Sequence, residues 1–319
     1  MSEYKGIKGF SIQSLSADPA DPNIGQVWYN STSSSWKVTS ATTAGAWATG
    51  GNMGTSRERL GGTGTQTAAL GFGGYSPGTF AITEEYDGSS WTTGGNLGTA
   101  RYQLAGAGTQ TAGLAFGGNP GNLANTEEYD GSTWTSGGNL NTGRSFLAGC
   151  GTQTAALGFG GGPPNTTATE EYDGAAWTTG GNLGTARYAL AGAGTQTAGL
   201  AFGGNNPATN ATEEYNGASW TGGGNLGTAR YRLAGAGTQT AGLAIGGNTT
   251  VVSSATELYN GTAWTSNPTG LATARRLLAG AGTQASALAF GGYTGTTKTA
   301  ATEEWTGAGV ALTKTITVS

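Results

Sequence analysis

The chain has 319 residues, of which 62 are glycine, with 10% charged residues, a net charge of −4, no histidine and one cysteine. Glycine at this level without a triplet period excludes collagen, and a chain with no basic block lacks what non-specific nucleic-acid binding needs. One cysteine excludes an intrachain disulfide, and the lack of histidine removes zinc sites and the usual base of a Ser or Cys nucleophile.

Residues 1–23, MSEYKGIKGFSIQSLSADPADPN, precede any repeat and lack the apolar core of a signal peptide. No apolar run anywhere approaches the roughly 18 residues of a membrane span. The DPADPN stretch reads as a turn or linker. GQVWYNSTSSSWKV then alternates apolar and polar residues around Trp28 and Trp36, which predicts a β-hairpin.

At Trp47 a long repeat begins. An arginine opens each unit at Arg57, Arg101, Arg144, Arg187, Arg230 and Arg275, a period of 43 to 45 residues. A glycine doublet follows in each unit, at Gly73-Gly74, Gly117-Gly118, Gly160-Gly161, Gly203-Gly204, Gly246-Gly247 and Gly291-Gly292. Within the second unit the first strand is placed at Leu104 to Gly108, and the turn Thr109-Gln110-Thr111 leads to the second, Ala112 to Phe116. A variable loop precedes the third strand, Thr126 to Tyr129. Asp130-Gly131 makes a tight turn into the fourth, near Trp134. Four antiparallel strands per 43-residue unit is the arithmetic of a propeller blade. The expected fold is all-β, a six-bladed β-propeller of four-stranded antiparallel blades over residues 47–319, with an N-terminal extension over 1–46.

Side-chain pattern fits that expectation. LAGAG in the first strand suits the crowded axis, and Leu114 and Phe116 share one face of the second. Trp91, Trp134, Trp177, Trp220 and Trp264 are expected to cover gaps between blades, as core. Cys150 stands in the slot of Ala107 and Ala193 and is expected to be a small buried hydrophobe. The sixth unit departs, with Trp305 for Tyr and Val310 for Trp, so its last strand is expected from the C-terminus. Trp47 to Asn52 is a further copy of the outer strand that can close blade six beside it. In a seven-bladed alternative, residues 24–50 and 310–319 make a degenerate blade.

Sequence differences among the repeats gather in the loops after the second strand, Tyr75 to Ile82, Asn119 to Asn125, Gly162 to Ala168, Asn205 to Ala211, Asn248 to Ala255 and Tyr293 to Ala301. The six arginines sit on the same side. Variable loops on a rigid scaffold make binding surfaces. The candidate ligand-binding residues are therefore Arg57, Arg101, Arg144, Arg187, Arg230, Arg275, Tyr75, Phe80, Asn119, Asn205, Asn248 and Tyr293. The arginines also have a structural reading, as ion pairs with Glu84, Glu127, Glu170, Glu213, Glu257 and Glu303. Carboxylate pairs recur in five of the six units, Leu258 replacing the second Glu in the fifth, which marks scaffold and not one active site. No catalytic residue, metal site or cofactor is expected. Asp87, Asp130, Asp173, Asn216 and Asn260 read as turn residues.

The unit resembles the kelch repeat, through Arg101 ahead of the first strand, the Gly117-Gly118 doublet, and Tyr129 followed five residues on by Trp134. The resemblance covers residues 47–319. More narrowly, the near-identical GTQTAGLAFGG copies and the leader ending in the WYN hairpin are similar to kelch-repeat structural proteins of tailed bacteriophages. That resemblance implies a non-catalytic virion component on the tail or a tail fibre, with the propeller as a display or adhesion domain. Its implied partners are other virion proteins, through residues 1–46, and a host-surface glycan or protein at the loop face. A homo-oligomer in the particle is compatible with it; nucleic-acid binding and membrane insertion are not expected. A purely structural subunit and a carbohydrate-active enzyme are the competing readings.

Overall fold

Alternating small and large residues over four positions, broken by Gly-rich turns, leave strand as the only regular structure these repeats can form. The computed structural model describes residues 13–19, 26–41, 44–205, 207–309 and 311–316, and among them there are strands and turns but no helix. Most of the DPADPN turn, Val310 and the rest of residues 1–12 and 317–319 lie outside the described residues. Two compact units emerge, Met1–Gly45 with Gly307–Ser319, and Ala46–Thr306.

The second unit is a repeated series of four-stranded antiparallel sheets. The sheet of the second repeat runs Ala105–Gly108, Gly113–Phe116, Thr126–Tyr129 and Trp134–Ser136, in that spatial order. Register puts Ala107 opposite Leu114, Leu114 opposite Glu128, and Tyr129 opposite Trp134. The other repeats follow the same order. The first strands contact one another in sequence, and Ala279–Gly282 of the sixth repeat returns to Gly61–Gly64 of the first. This arrangement is consistent with a β-propeller.

Five of the six sheets hold the one before by the same three side chains, a Trp, a Gln and a Tyr. Trp177 stacks on Phe116 of the preceding sheet with ring centroids 4.7 Å apart, and its Nε1 donates to Thr126 Oγ1 at 2.9 Å. Gln153, from the turn after the first strand, donates from Nε2 to the carbonyls of Gly113 and Tyr129 at 3.0 and 2.7 Å. Tyr172, fully buried, donates its hydroxyl to Glu128 at 2.5 Å. The series continues around to the start, since Trp91 stacks on Phe290 at 4.8 Å and Gln66 reaches the carbonyls of Ala287 and Trp305. Ring pairs of this kind add about 0.5–1.5 kcal/mol each beyond the area they bury.

Between the fifth and sixth repeats the Tyr–Glu bond is missing at both ends. Leu258 replaces the glutamate and Trp305 replaces the tyrosine, and the two pack in one apolar cluster. Both departures in the sequence thus belong to one contact. A polar pair has been exchanged for an apolar one, which avoids leaving either polar partner buried alone.

The sixth sheet is completed by Ala46–Thr49, which pairs with Thr302–Thr306 so that Trp47 lies opposite Trp305. The C-terminal strand does not close it, contrary to the sequence expectation. Ala311–Thr315 pairs instead with Ser35–Ala41 of the N-terminal hairpin. Trp47 carries the outer-strand text and donates from Nε1 to Thr256 Oγ1, as the other outer tryptophans do to the preceding sheet. The first unit is then a sheet of its own, Gln13–Leu15, Val27–Asn30, Ser35–Ala41 and Ala311–Thr315. Its hairpin is antiparallel as predicted, with Tyr29 opposite Trp36, but Gln13–Leu15 runs parallel to Val27–Asn30. No repeat sheet has a parallel strand, so this sheet is no copy of the others.

Glycine is demanded where backbones crowd. A Cβ on Gly106 would meet the Phe72 ring at 2.6 Å and the Gly62 carbonyl oxygen at 3.1 Å, both in the preceding repeat. A Cβ on Gly138 would run into the carbonyl oxygen of Ala175, whereas one on Gly222 meets nothing within 4 Å. Gly138→Ala should therefore lose about 1–3 kcal/mol in denaturant unfolding, the usual cost of forced overpacking, while Gly222→Ala leaves the midpoint unchanged or slightly raised. Equal midpoints for the two variants would contradict the packing described.

Candidate functional site

The repeat arginines stand just ahead of the first strand, and the chain turns their side chains inward beneath the glycine doublet. All six are at most 3% exposed. Arg187 shows the pattern: Nη2 meets Glu213 Oε1 at 2.9 Å, and Nη1 donates to the carbonyls of Gly203 and Ala211 at 2.9 and 2.8 Å. The other Glu213 oxygen accepts from Gly184 N at 2.6 Å, on the segment arriving from the preceding sheet. The remaining five pairs, Arg57–Glu84, Arg101–Glu127, Arg144–Glu170, Arg230–Glu257 and Arg275–Glu303, span 2.7–3.2 Å. Burial lowers each guanidinium from its ordinary value, with the paired glutamate opposing, and Arg57 falls to about 10. Of the two sequence readings, this geometry is that of structural ion pairs. The six arginines offer no guanidinium to a ligand in solvent.

The loop candidates converge elsewhere. The residue after each arginine extends the inner hairpin by one bridge, joining Glu58 to Tyr75, Tyr102 to Asn119, Ser145 to Gly162, Tyr188 to Asn205, Tyr231 to Asn248 and Arg276 to Tyr293. The Asn119 amide bonds Gln103, while the Asn205 and Asn248 amides bond the hydroxyls of Tyr188 and Tyr231. Tyr75 and Tyr102 rings lie 5.4 Å apart, with Arg59 5.7 Å from each and Lys298 4.9 Å from Tyr75. Tyr293 sits 5.3 Å from Arg276, whose Nη1 donates to Asn248. Phe80 is half-buried, and only its backbone makes bonds, to Gly74 and Arg101.

Several of these groups touch residues of a mouth on the axis, Tyr75 and Tyr102 through Arg59, Asn119 through Gln103 and Tyr231 through Arg232. Arg59, Gln103, Phe146, Ala189, Arg232 and Leu277 form a circle of backbone hydrogen bonds. Gln103 N donates to Arg59 O, Phe146 N to Gln103 O, Ala189 N to Phe146 O, Arg232 N to Ala189 O, Leu277 N to Arg232 O and Arg59 N to Leu277 O, all at 2.8–2.9 Å. All six are left-handed, with φ between 53 and 60°. Inside the circle is a cavity of about 90 Å³ floored by leucines, among them Leu60, Leu147 and Leu233. At roughly 30 Å³ per water it admits a functional group and not a whole sugar.

No carboxylate lines this cavity. The glutamates of the TEE triplets are used up, the first by arginine and the second by tyrosine from the next sheet. Among the described residues no three His, Cys, Asp or Glu side chains gather as metal ligands. Asp130 caps its own turn, accepting from Ser132 N and Thr133 N, and these bonds hold its carboxyl down to about 2. Cys150 is buried and burial pushes its thiol up to about 12, so it is packing and not a nucleophile.

Sequence reasoning missed Arg59, Gln103, Arg232, Arg276 and Lys298. A signal was there: the pair after each arginine reads Glu-Arg, Tyr-Gln, Ser-Phe, Tyr-Ala, Tyr-Arg and Arg-Leu between otherwise near-constant neighbours. No family model matches the chain, and no curated protein is significantly similar to it.

Five buried phenols, Tyr86, Tyr129, Tyr172, Tyr215 and Tyr259, are pushed up to about 12 by burial and then by the glutamate each donates to. A raised folded-state value means their stabilisation is complete below about pH 10 and is lost as pH climbs toward 12. Denaturant midpoints should hold to about pH 10 and then fall together with the late rise of tyrosinate absorbance. Uniform phenol titration near pH 10 in a still-folded protein would contradict this.

Proposed function

We propose that the chain is a six-bladed, kelch-type propeller acting as a non-catalytic recognition module of a bacteriophage tail or tail fibre, with the axial face binding a host-surface glycan. The observation that carries it is the contrast between a repeated framework and a varied mouth. Stacked Trp–Phe pairs, Gln staples and Arg–Glu pairs recur with few changes, while the residues facing the mouth vary among the repeats. Half-buried Tyr rings, Asn amides and guanidinium groups around a small cavity are the groups that bind hydroxyl-rich ligands. The cavity has no acid–base pair to support hydrolysis.

The first unit is the part we assign to attachment within the particle. Its sheet leaves Val27, Trp36 and Ile316 more than a third exposed, an apolar edge suited to another protein. Loss of particle incorporation on Trp36→Ser, with the fold kept, is the measure of that assignment.

The recognition reading is tested by binding purified protein to bacterial cells and their isolated surface polysaccharides, beside a variant with residues 119–125 and 205–211 replaced by glycine and serine. Saturable binding, reduced about tenfold or more in the variant, is expected. Absence of binding to every polysaccharide and cell, or equal binding by both proteins, would turn the assignment toward a structural subunit that makes only protein contacts.

A further inference from the structure

We propose that the axial mouth is a carboxylate site, formed by Arg232 with Arg59 and Arg276, that receives the acid group of a uronic-acid residue in the surface glycan. The inference rests on the recognition reading above and specifies the ligand.

Backbone conformation supplies the first ground. A left-handed backbone is unfavourable for a residue with a side chain, and glycine avoids that cost. The chain has 62 glycines, yet none of the six left-handed circle positions is glycine. They carry Arg, Gln, Phe, Ala, Arg and Leu, five residue types over six repeats. Strain retained at a ring of side chains around a cavity points to use of those side chains.

Charge supplies the second. Arg232, Arg276 and Arg59 come from the fifth, sixth and first repeats, which are successive around the axis. Lys298 joins them beside Tyr75. The carboxylate facing this sector is Glu58, 3.4 Å from Arg59 Nε. Arg276 is held by Asn248 and the Tyr293 ring, both neutral. The Arg232 side chain has the Tyr231 ring at 5.3 Å and, among the described residues, neither a hydrogen bond nor an ion pair. Its Nε is buried without a partner, as in the other arginines, so what sets Arg232 apart is that its two terminal nitrogens also lack one and no described carboxylate pairs with it. Burial first, and then the charges of Arg276 and Arg59, lower its guanidinium from the ordinary value. A cationic cluster above a leucine floor with a single carboxylate is incomplete, and an anion in the cavity would satisfy it.

Shape selects among anions. A volume of about 90 Å³ holds a carboxylate while the sugar ring stays above it, and the flat guanidinium fork matches a carboxylate's two oxygens. Beside the cavity, Tyr188, Asn205, Tyr231 and Asn248 make a neutral, hydrogen-bonding stretch of the rim. That rim suits sugar hydroxyls. A polyacidic peptide would need cations spread beyond the mouth.

The test is calorimetric titration of the full chain, at low salt, with tetragalacturonate and with oligosaccharides containing glucuronic acid. Maltotetraose, inorganic phosphate and hexaglutamate are the comparison ligands. Arg232→Gln is the decisive variant, because Gln103 already occupies the equivalent backbone position and the fold should keep its melting temperature. We expect saturable binding of a uronic-acid oligosaccharide, none of maltotetraose, and an affinity loss of about tenfold or more in Arg232→Gln. Equal affinity in the variant overturns the site. So does hexaglutamate or phosphate binding as tightly as the uronic acids, or no uronic acid binding at all. If loop-dependent polysaccharide binding survives Arg232→Gln, this inference fails while the recognition reading stands; if no glycan binds, both fail.

Discussion

Six left-handed residues, each donating its amide to the carbonyl of the one before, close a circle at the centre of the repeats. Everything at the mouth depends on that circle. It fixes the backbone without help from side chains, so the side chains at those positions are free to differ. It also counts the repeats: the bonds run through six positions and return to the first. The small sheet from the two chain ends contributes nothing to it among the described residues. A repeat protein ordinarily pays for open ends with capping units; here the sixth repeat meets the first through the Trp–Phe and Gln contacts that join most of the others.

Further out, the buried framework is separate from the side chains at the mouth. The Arg–Glu pairs tie the segment before the first strand to the third strand and to the incoming connection. Breaking such a buried pair costs about 3–5 kcal/mol, because it strands a charge. Those arginines are thus framework. The guanidinium groups that can meet a ligand belong to other residues, two positions further along in Arg59 and Arg232 and one in Arg276. A single displacement along the chain separates a buried arginine from an available one.

Much of the framework was legible in the sequence because repetition exposes it. The period, the strand order within each repeat and the packing role of the tryptophans all follow from text that recurs six times. The arginine register also showed its glutamate partner, although only burial could decide between an ion pair and a ligand ring. What was not legible involves contacts between repeats. Gln153 reads as a turn residue, and nothing local says that it reaches two carbonyls of the preceding sheet. Leu258 and Trp305 read as two separate lapses, since they are distant in sequence and meet only across a sheet boundary. The C-terminal strand alternates as a blade strand would, and pairing with the N-terminal hairpin is a choice that alternation cannot specify. Attention to the long loops also hid the mouth, where one residue per repeat matters and the fold alone brings the six together.

The most direct measurement is native-state hydrogen exchange at the amides of Arg59, Gln103, Phe146, Ala189, Arg232 and Leu277. If the circle is closed, all six exchange only through the largest opening of the protein, with matching protection despite their different side chains. Fast exchange at any one of them, with the strand amides still protected, would mean that the circle is open there and that the mouth is not the fixed frame described.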